Sequence, residues 1–432
     1  MERIFISEIP SHVGKEVMVS GWVHAIRAQG SIAFLLVRDR SGLAQAVVLK
    51  SSGDGSLFEL VKSLSVESVV SVTGKVKQEA QAPGGYEIEP IALTVLSKAA
   101  PELPIPVVVE KSGGETDITK RFDWRWLDLR RPEKLKIFHV WTALEQGFRE
   151  QFAEEGFIQI YAPSFMNAPS ESGTDVFEVK YFEKKAYLAQ SPHFYKQMAM
   201  ASGFEKVFMV GPVFRAEPSF TTRHMTEFTG WDFEMSYINS HHEVMDIEEK
   251  LLVAGFKKVN ESTRLGVEVP SMPFPRLTMA EIKGKLKANG VPSEKEGDLS
   301  PDEERKICEL IKEETGSDFV WVIDYPASVR AFYHMRHEDK PTLTKSFDLL
   351  YKGVEITTGA QREHRVEILE KQAQEKGIGL DSIKDYLNFF RYGCPSHGGV
   401  GIGPGRIIMG MLDLPSVKEA TFLPRDVKRL NP

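Results

Sequence analysis

The sequence predicts an α+β fold in two parts, a small β-barrel followed by a larger domain that mixes strands and helices. A chain of 432 residues exceeds one typical core and favours two domains. The first 100 residues contain short runs rich in Val, Ile and Phe, whereas helical periodicity begins near residue 134. Prolines separate the two patterns. We therefore expect a barrel over 1–102, a hinge over 103–132 and a second domain over 133–432.

The N-terminal strands are separated by turn signals such as Arg40-Ser41-Gly42 and Pro83-Gly84-Gly85. The predicted strands are Glu16–His24, Ile32–Asp39, Ala44–Leu49, Val66–Lys75 and Tyr86–Ser97. Five strands in about 90 residues are typical of a small closed barrel, and the OB-fold is the five-stranded candidate. Such barrels commonly bind single-stranded nucleic acid. A purely structural role, or binding of protein or sugar, fits a barrel equally well.

The predicted hinge begins with prolines that favour an extended chain. It ends in a basic stretch that includes Arg125, Arg130 and Arg131. Two interpretations are open: a solvated hinge, or a basic strip that contacts a phosphate backbone.

Composition limits the class of protein. The net charge of −7 and the pI of about 6.0 argue against a generally basic nucleic-acid binder, although a local basic groove can lie on an acidic protein. Two distant cysteines, Cys308 and Cys394, predict neither a disulfide framework nor a zinc site. We see no secretory signal and no apolar run of about 18 residues, so we expect a cytoplasmic protein without a membrane span.

The second domain opens with a helical pattern over Lys134–Glu155, followed by Gly156 and a predicted strand, Phe157–Ala162. Farther along, the apolar runs Val207–Phe214 and Trp231–Tyr237 predict a hairpin. Its loop holds two arginines, two carboxylates, a histidine and an aromatic residue: Arg215, Arg223, Glu217, Glu227, His224 and Phe228. Guanidinium groups bind phosphate in a bidentate way and an aromatic face stacks on a base. The loop could bind a nucleotide, or it could be an ordinary charged surface loop.

A second hairpin is predicted over Ser346–Thr358, with Lys352-Gly353 at its turn. In this register Asp348 and Glu355 are diagonal neighbours on one face, roughly 7 Å apart. Like charges repel at this distance, so the pair favours Mg²⁺ binding over a purely structural role. Two exposed acids are the alternative.

The next segment, Thr358–Gln361, has the form of a capping box and predicts the start of a helix. Arg362 would then lie in the first helical turn, where a cation is unfavourable and an anionic partner is indicated. Near the C-terminus, five glycines precede Arg406, which begins another predicted helix. This pattern, His397–Asp413, is neither a P-loop nor a dinucleotide fingerprint.

Three of these patterns, in this order, resemble motifs 1, 2 and 3 of the class II aminoacyl-tRNA synthetases. They are helix–Gly156–strand, the F-R-x-E…R-H-x-x-E-F hairpin, and the glycine-rich strand with Arg406. The resemblance implies an antiparallel catalytic sheet flanked by helices, and a homodimer through motif 1. The family usually has Glu directly before the motif 3 arginine, whereas this chain has Gly405.

A barrel before the catalytic domain resembles the subgroup that charges Asp, Asn or Lys. Four segments resemble the aspartyl-tRNA synthetases of archaeal and eukaryotic type: SESGTD (170–175), QSPHFYKQ (190–197), FDLLYKGVEITTGAQREHR (347–365) and MLDLPSVKEATFLPRD (411–426). The resemblance implies ATP-dependent attachment of L-aspartate to tRNA through an aspartyl-adenylate, with Mg²⁺ as cofactor.

The resemblance also implies residue roles. The catalytic residues would be Arg215 and Arg406. ATP would bind Arg215, Glu217, Arg223, His224, Met225, Phe228, Glu355, Gly403, Pro404, Gly405 and Arg406. Aspartate would bind Glu171, Gln190, His193, Lys196, Arg215, Thr358 and Arg362. Mg²⁺ would bind Asp348 and Glu355, and the anticodon would bind His24, Phe34, Gln45 and Pro83.

Three alternatives share this fold: an asparaginyl enzyme, a non-catalytic tRNA-binding paralogue and an ATP-dependent asparagine synthetase. The cations Lys196 and Arg362 argue for a carboxylate substrate over an amide. The retained arginines argue against a non-catalytic paralogue, and the barrel argues against an asparagine synthetase. The range of tRNAs depends on the third anticodon base, for which His24 and the loop Ala82–Tyr86 are candidates. Their small, uncharged character favours acceptance of both tRNA(Asp) and tRNA(Asn).

Overall fold

The computed structural model describes residues 1–51, 53–108, 114–167 and 175–431. They form two compact units, Met1–Leu135 and Lys136–Pro432. None of the helices in these ranges is long and apolar enough to cross a membrane.

The first unit contains a closed five-stranded barrel in the order β1-β2-β3-β5-β4. Its strands are β1 (Glu16–Gln29), β2 (Ile32–Asp39), β3 (Gly42–Leu49), β4 (Val69–Gln78) and β5 (Tyr86–Ser97), with helix α1 (Ser56–Lys62) between β3 and β4. Alternate side chains along each strand, such as Val17, Val19 and Val23, are buried inside. The predicted OB-fold barrel is confirmed, although β1 extends beyond the predicted His24.

The predicted hinge is described over 103–108 and 114–132, and its second part contains two short helices, α2 (Ile118–Asp123) and α3 (Arg125–Asp128). Arg125 and Arg131 are buried, and Arg125 Nη1 lies 2.7 Å from Asp128 Oδ2. Neither open interpretation fits these two arginines, because buried and paired guanidinium groups are neither solvated nor available to a phosphate backbone.

The second unit is built on an eight-stranded mixed sheet in the order β12-β13-β14-β15-β16-β11-β10-β6. Its strands are β6 (Ile158–Gln159), β10 (Lys206–Phe214), β11 (Glu227–Ser236), β12 (Arg276–Thr278), β13 (Phe319–Ile323), β14 (Ser346–Tyr351), β15 (Val354–Arg362) and β16 (His397–Ile402). A smaller sheet comprises β7 (Phe165–Met166), β8 (Glu178–Tyr181) and β9 (Lys184–Leu188). Apart from the parallel pairs β6–β10 and β12–β13, the large sheet is antiparallel.

Helix α4 (Pro132–Glu154) begins at the end of the first unit and continues in the second. The other α-helices of the second unit are α5 (His193–Ala201), α6 (His241–Thr263), α7 (Met279–Ala288), α8 (Pro301–Thr315), α9 (Val366–Glu375), α10 (Lys384–Arg391) and α11 (Pro404–Met411). Helices α4 and α6 pack closely at Gly147, where an added Cβ would lie 2.8 Å from the Ala254 carbonyl oxygen. Their apolar faces share one core with Phe233 and Trp321 of the sheet. That core fixes the strands that carry the site.

The prediction that a helix starts at Thr358 is wrong. Thr358–Arg362 continue β15, which pairs with β14 on one side and β16 on the other, and the next helix begins at Val366. The Phe347 ring fills the position that a Cβ on Gly359 would occupy, so this part of β15 packs tightly against the neighbouring strand. Packing and strand pairing, and not a local helix cap, set the backbone conformation here. The helix-dipole argument for Arg362 therefore does not apply.

The two predicted hairpins are confirmed. The β10–β11 pair joins Phe214 to Glu227 around the loop 215–226, which we call the arginine loop. The β14–β15 pair has the predicted two-residue turn, with Leu350 opposite Glu355. A register shift next to Leu350 then places Asp348 opposite Thr358.

Candidate active site

A cavity of about 810 Å³ lies against strands β10, β11, β15 and β16. The predicted ATP residues that line it are Arg215, Glu217, Arg223, His224, Met225, Phe228, Glu355, Gly403, Gly405 and Arg406. The predicted aspartate residues that line it are Gln190, His193, Lys196, Arg215, Thr358 and Arg362. Pro404 and Asp348 are buried beside it rather than in its wall, and Glu171 lies outside the described residues.

Arg215 is the loosely held arginine of the cavity. Its side chain is 42% exposed, and its guanidinium carbon lies 5.5 Å from the centre of the Phe228 ring. Its Nε donates a long hydrogen bond of 3.4 Å to the Gln190 carbonyl, and Nη1 lies 3.8 Å from Glu217. Most of its donor capacity therefore stays available to a phosphate or carboxylate ligand.

Arg223 and Arg406 are held more firmly. Arg223 donates from Nη1 to Glu304 Oε2 at 2.5 Å and from Nη2 to the Gly353 carbonyl at 2.7 Å. Arg406, in the first turn of α11, donates from Nη1 to the Glu355 carbonyl at 2.7 Å. These contacts place two cations at the end of the cavity that contains Glu355.

Lys196 and Arg362 are buried and share a carboxylate partner. Lys196 Nζ donates to Asp232 Oδ1 and to the Val400 carbonyl, each at 2.9 Å, and lies 3.4 Å from Glu234 Oε2. Arg362 Nε donates to Glu234 Oε1 at 3.0 Å. The structure thus brings the predicted pair of cations together, and it adds two acids from β11.

Asp232 and Glu234 were not among the predicted site residues. The sequence did contain a signal for them: two acids occupy alternate positions of a strand that is otherwise mostly apolar. A strand of this kind is buried on both faces, so acids within it need charged partners. Gly399 on β16 is required by the same contact, because an added Cβ would collide with the Glu234 carboxylate.

A second layer of aromatic and polar side chains supports these cations. His193 stacks on Tyr333 with ring centres 3.8 Å apart, and burial followed by the charge of Arg362 holds the His193 pKa well below its usual value. Burial likewise lowers the pKa of His397 to about 4, and Gln197 links its Nε2 to the Tyr386 hydroxyl. Both histidines are therefore neutral near pH 7.

The two predicted metal ligands lie in different environments. Asp348 is buried, and its Oδ2 lies 2.7 Å from Arg330 Nη2, whereas its Oδ1 has no hydrogen-bond partner among the described residues. Glu355 is partly exposed, and its Oε1 accepts a hydrogen bond of 3.2 Å from Thr358. The described residues contain no group of three or more His, Cys, Asp or Glu side chains arranged for a metal ion.

Gly405 has a steric explanation. An added Cβ would lie 3.1 Å from Val417 Cγ2, which is tighter than ordinary van der Waals contact. Val417 therefore occupies space that a larger side chain at this position would need.

On the barrel, three of the predicted anticodon residues lie on adjacent strands, His24 on β1, Phe34 on β2 and Gln45 on β3. All three are partly exposed. Exposed Arg27, which was not predicted, pairs directly with Phe34 and so lies on the same face. Pro83 starts a short 3₁₀ helix before β5, and burial followed by the charge of Arg38 lowers the pKa of His24.

The comparisons with known proteins agree with this geometry. Residues 117–427 match the family model of class II tRNA synthetases (D, K and N), and residues 17–96 match that of the OB-fold nucleic acid binding domain. The aspartate–tRNA(Asp/Asn) ligase of Archaeoglobus fulgidus is 40% identical, with all of both chains covered. The aspartate–tRNA(Asp) ligase of Pyrococcus abyssi is 39% identical, with 99% of both chains covered.

Solved structures include the asparaginyl-tRNA synthetase of Pyrococcus horikoshii in complex with asparaginyl-adenylate, which superposes with a TM-score of 0.92 at 32% identity and full coverage of both chains. The aspartyl-tRNA synthetase of Entamoeba histolytica has a TM-score of 0.87 at 33% identity, covering 100% of this chain and 93% of that one. With both family models matched and the motif residues gathered in one cavity, the chain belongs to the class II tRNA synthetases of the D, K and N group.

Proposed function

We propose that this chain is an aspartate–tRNA ligase that accepts both tRNA(Asp) and tRNA(Asn). The observation that carries the proposal is the buried Lys196–Arg362 pair beside Arg215 in one cavity. The relatives at about 40% identity are named as aspartate ligases, and several of them are named for both tRNAs. We assign residues 1–102 to anticodon binding, 103–132 to the connection and 133–432 to catalysis.

Two transfer steps follow from this assignment. The α-carboxylate of aspartate attacks the α-phosphorus of ATP, the bond to the bridging oxygen of pyrophosphate breaks, and pyrophosphate leaves. The terminal ribose hydroxyl of tRNA then attacks the activated carbonyl, loses its proton and displaces AMP. No side chain acts as a nucleophile, so catalysis comes from positioning and from charge stabilisation. Arg215 lies between Gln190 and Phe228 and can contact both substrates.

Selection of aspartate over asparagine depends mainly on whether the substrate side chain offers hydrogen-bond acceptors or donors, and less on the net charge of the site. Lys196 and Arg362 already have Asp232 and Glu234 as partners, so they do not by themselves leave two uncompensated charges. Both cations carry only donors, and a substrate carboxylate offers only acceptors. The amide group of asparagine would instead direct its own N–H donors at these cations, which disfavours it.

Mg²⁺ would be held by Asp348 and Glu355. The donor set fits a hard cation, because Asp348 Oδ1 is buried without a hydrogen-bond partner among the described residues and carboxylate oxygens are preferred Mg²⁺ ligands. Two carboxylates leave the remaining positions to water and substrate phosphates, as is usual for this ion. When bound, the ion would supply positive charge to the phosphates.

We also propose a homodimer through the motif 1 region together with the adjoining small sheet β7–β9. Strands β6–β9 and their connections expose several large apolar side chains: Ile158 (49%), Tyr161 (79%), Phe165 (52%), Tyr181 (45%) and Phe182 (78%). The rings of Phe165, Tyr181 and Phe182 contact each other in sequence, with centres 5.6 and 4.9 Å apart. These three contacting rings form an exposed apolar patch, and a patch of this kind marks an interface. A cytoplasmic location stays a prediction from the sequence.

Phe182→Asp is expected to weaken the dimer at least tenfold, because a buried charge at an aromatic contact is roughly as costly as the loss of a hot-spot side chain. Sedimentation velocity over a dilution series measures the change. Tyr392→Asp, at a residue that is 90% exposed in another part of the unit, is the control and should leave the dimer intact. Equal dissociation constants for Phe182→Asp and the unsubstituted protein would contradict the assignment.

Aminoacylation of two tRNA transcripts tests the function and its range together. We expect aspartyl-tRNA from both tRNA(Asp) and tRNA(Asn), with kcat/KM values within about tenfold, whereas one discriminating base contact worth about 1–3 kcal/mol would separate them by up to about 150-fold. Asparagine should yield no product with either transcript. A transcript with a changed middle anticodon base is the control, since it should lose contacts to Phe34 and Gln45. Charging with asparagine would overturn the function, and failure with tRNA(Asn) alone would overturn only the relaxed range.

A further inference from the structure

Helix α8 lies in a region for which the sequence indicated no function, yet one of its carboxylates reaches the active-site arginines. Glu304 Oε2 accepts the 2.5 Å hydrogen bond from Arg223 Nη1, and the two side chains are only 11% and 15% exposed. A charge-assisted hydrogen bond shielded from water is strong, and it fixes its partners in one geometry.

Helix α8 does not use Glu304 in its N-terminal cap, and the favourable helix dipole in the first turn accounts for an acid here but not for the direction of its side chain. The N-terminus of α8 is capped by Ser300 together with Glu303, in a capping box. Glu303 also binds Lys283 Nζ at 2.5 Å. Glu304 takes no part in that box, and its side chain turns to the arginine loop instead. Burial raises the pKa of Glu304 to about 7 even though the adjacent Arg223 guanidinium lowers it.

A second contact completes the arrangement around Arg223. Its Nη2 donates to the carbonyl of Gly353, at the turn between β14 and β15. An added Cβ on Gly353 would lie 2.9 Å from Arg305 Cα, so helix α8 and this turn pack closely. Arg223 is therefore bound on two sides by neighbouring structure while it also lines the cavity.

The remaining hydrogen-bonding capacity of Arg223 suits a phosphate. A guanidinium has five N–H donors, and the two contacts above use two of them, which leaves three. Binding to Glu304 is therefore compatible with binding an anion from the cavity. An arginine that is already ordered loses less freedom on binding a ligand than one on a free loop.

We propose that Glu304 is a positioning residue for the nucleotide, holding Arg223 at the cavity wall so that its free N–H groups receive the terminal phosphates of ATP. The inference rests on the proposed function, in which Arg223 is a phosphate ligand. It assigns helix α8 a role in the ATP half-reaction.

ATP–pyrophosphate exchange with Glu304→Ala, Glu304→Gln, Arg223→Ala and the double variant tests this role. Glu304→Ala should raise the KM for ATP about tenfold, as expected for loss of a charge-assisted contact, with kcat and the KM for aspartate changed less than about twofold. Glu304→Gln keeps an acceptor oxygen and should raise it less. In the Arg223→Ala background, Glu304→Ala should add no further increase, because its effect passes through Arg223.

Glu313→Ala, at an exposed position on the same helix, is the matched control and should change nothing. The inference is overturned if Glu304→Ala leaves the KM for ATP unchanged, as this control does. It is also overturned if the KM of the double variant rises by the product of the two single-variant increases, because the two residues would then act independently. Should Glu304→Ala fail to fold, Glu304→Gln carries the test alone, and an unchanged KM for ATP in that variant overturns the inference. If Arg223→Ala itself leaves the KM for ATP unchanged, the assigned role of Arg223 fails instead.

Discussion

Replacement of Arg215 with alanine is expected to reduce aspartate-dependent ATP–pyrophosphate exchange at least about 1000-fold, since loss of one preorganised donor to a developing charge costs about 10²–10³ in rate and Arg215 can contact both substrates. Its contacts within the protein are long, 3.4 Å to the Gln190 carbonyl and 3.8 Å to Glu217. The donors of its guanidinium are therefore kept for ligands and contribute little to the fold.

The same weak contacts make the control experiments informative. The thermal unfolding midpoint should change little, and affinity for tRNA should be nearly unchanged, because the anticodon barrel belongs to the other compact unit. Arg391→Ala, which removes an exposed arginine paired with Glu370, should retain full exchange activity. Exchange by Arg215→Ala within about tenfold of the unsubstituted enzyme would be incompatible with the role assigned to Arg215.

Replacement of Lys196 with methionine is expected to lower kcat/KM for aspartate at least about 100-fold, as for a buried charged hydrogen bond, and to leave the KM for ATP nearly unchanged. Lys196 Nζ lies between Asp232 and Glu234, and in the proposed function it also donates to the carboxylate of aspartate. Methionine fills similar volume without the charge.

This second variant should also be less stable, by about 3–5 kcal/mol, because removing one partner of a buried ion pair leaves the other charge uncompensated. The free energy of unfolding in urea measures that loss. Adding Asp232→Asn should recover part of it without restoring activity. Lys371→Met, at an exposed position on α9, is the control for both assays. Unchanged aspartate activation in Lys196→Met would exclude the lysine from the amino-acid site.

The sequence alone predicted the architecture well where local pattern determines structure. The two predicted strands Ile32–Asp39 and Tyr86–Ser97 coincide with β2 and β5. The turn at Lys352-Gly353 was also predicted correctly, and both residues have the positive φ that a tight two-residue hairpin turn requires. The order of the three motifs identified the family, which the two family models support.

Short polar segments inside the sheet could not be predicted in the same way. Thr358–Gln361 has the local form of a helix start, but pairing with β14 and β16 outweighs that preference and extends β15 through Arg362. Sequence spacing alone also left the partners of Arg125 and Arg131 open. Their burial depends on packing within the first unit, including the contact with Asp128.

The sequence by itself predicted the barrel and the large sheet, because strand alternation and turn signals are local properties of the chain, and its resemblance to the family indicated the cations that line the cavity. Only the tertiary structure decided which carboxylates pair with those cations. Asp232 and Glu234 of β11 meet Lys196 of helix α5 and Arg362 of β15. Glu304 reaches Arg223 from helix α8, 81 residues farther along the chain. Such partners are set by packing over long sequence separations, and no local pattern records them.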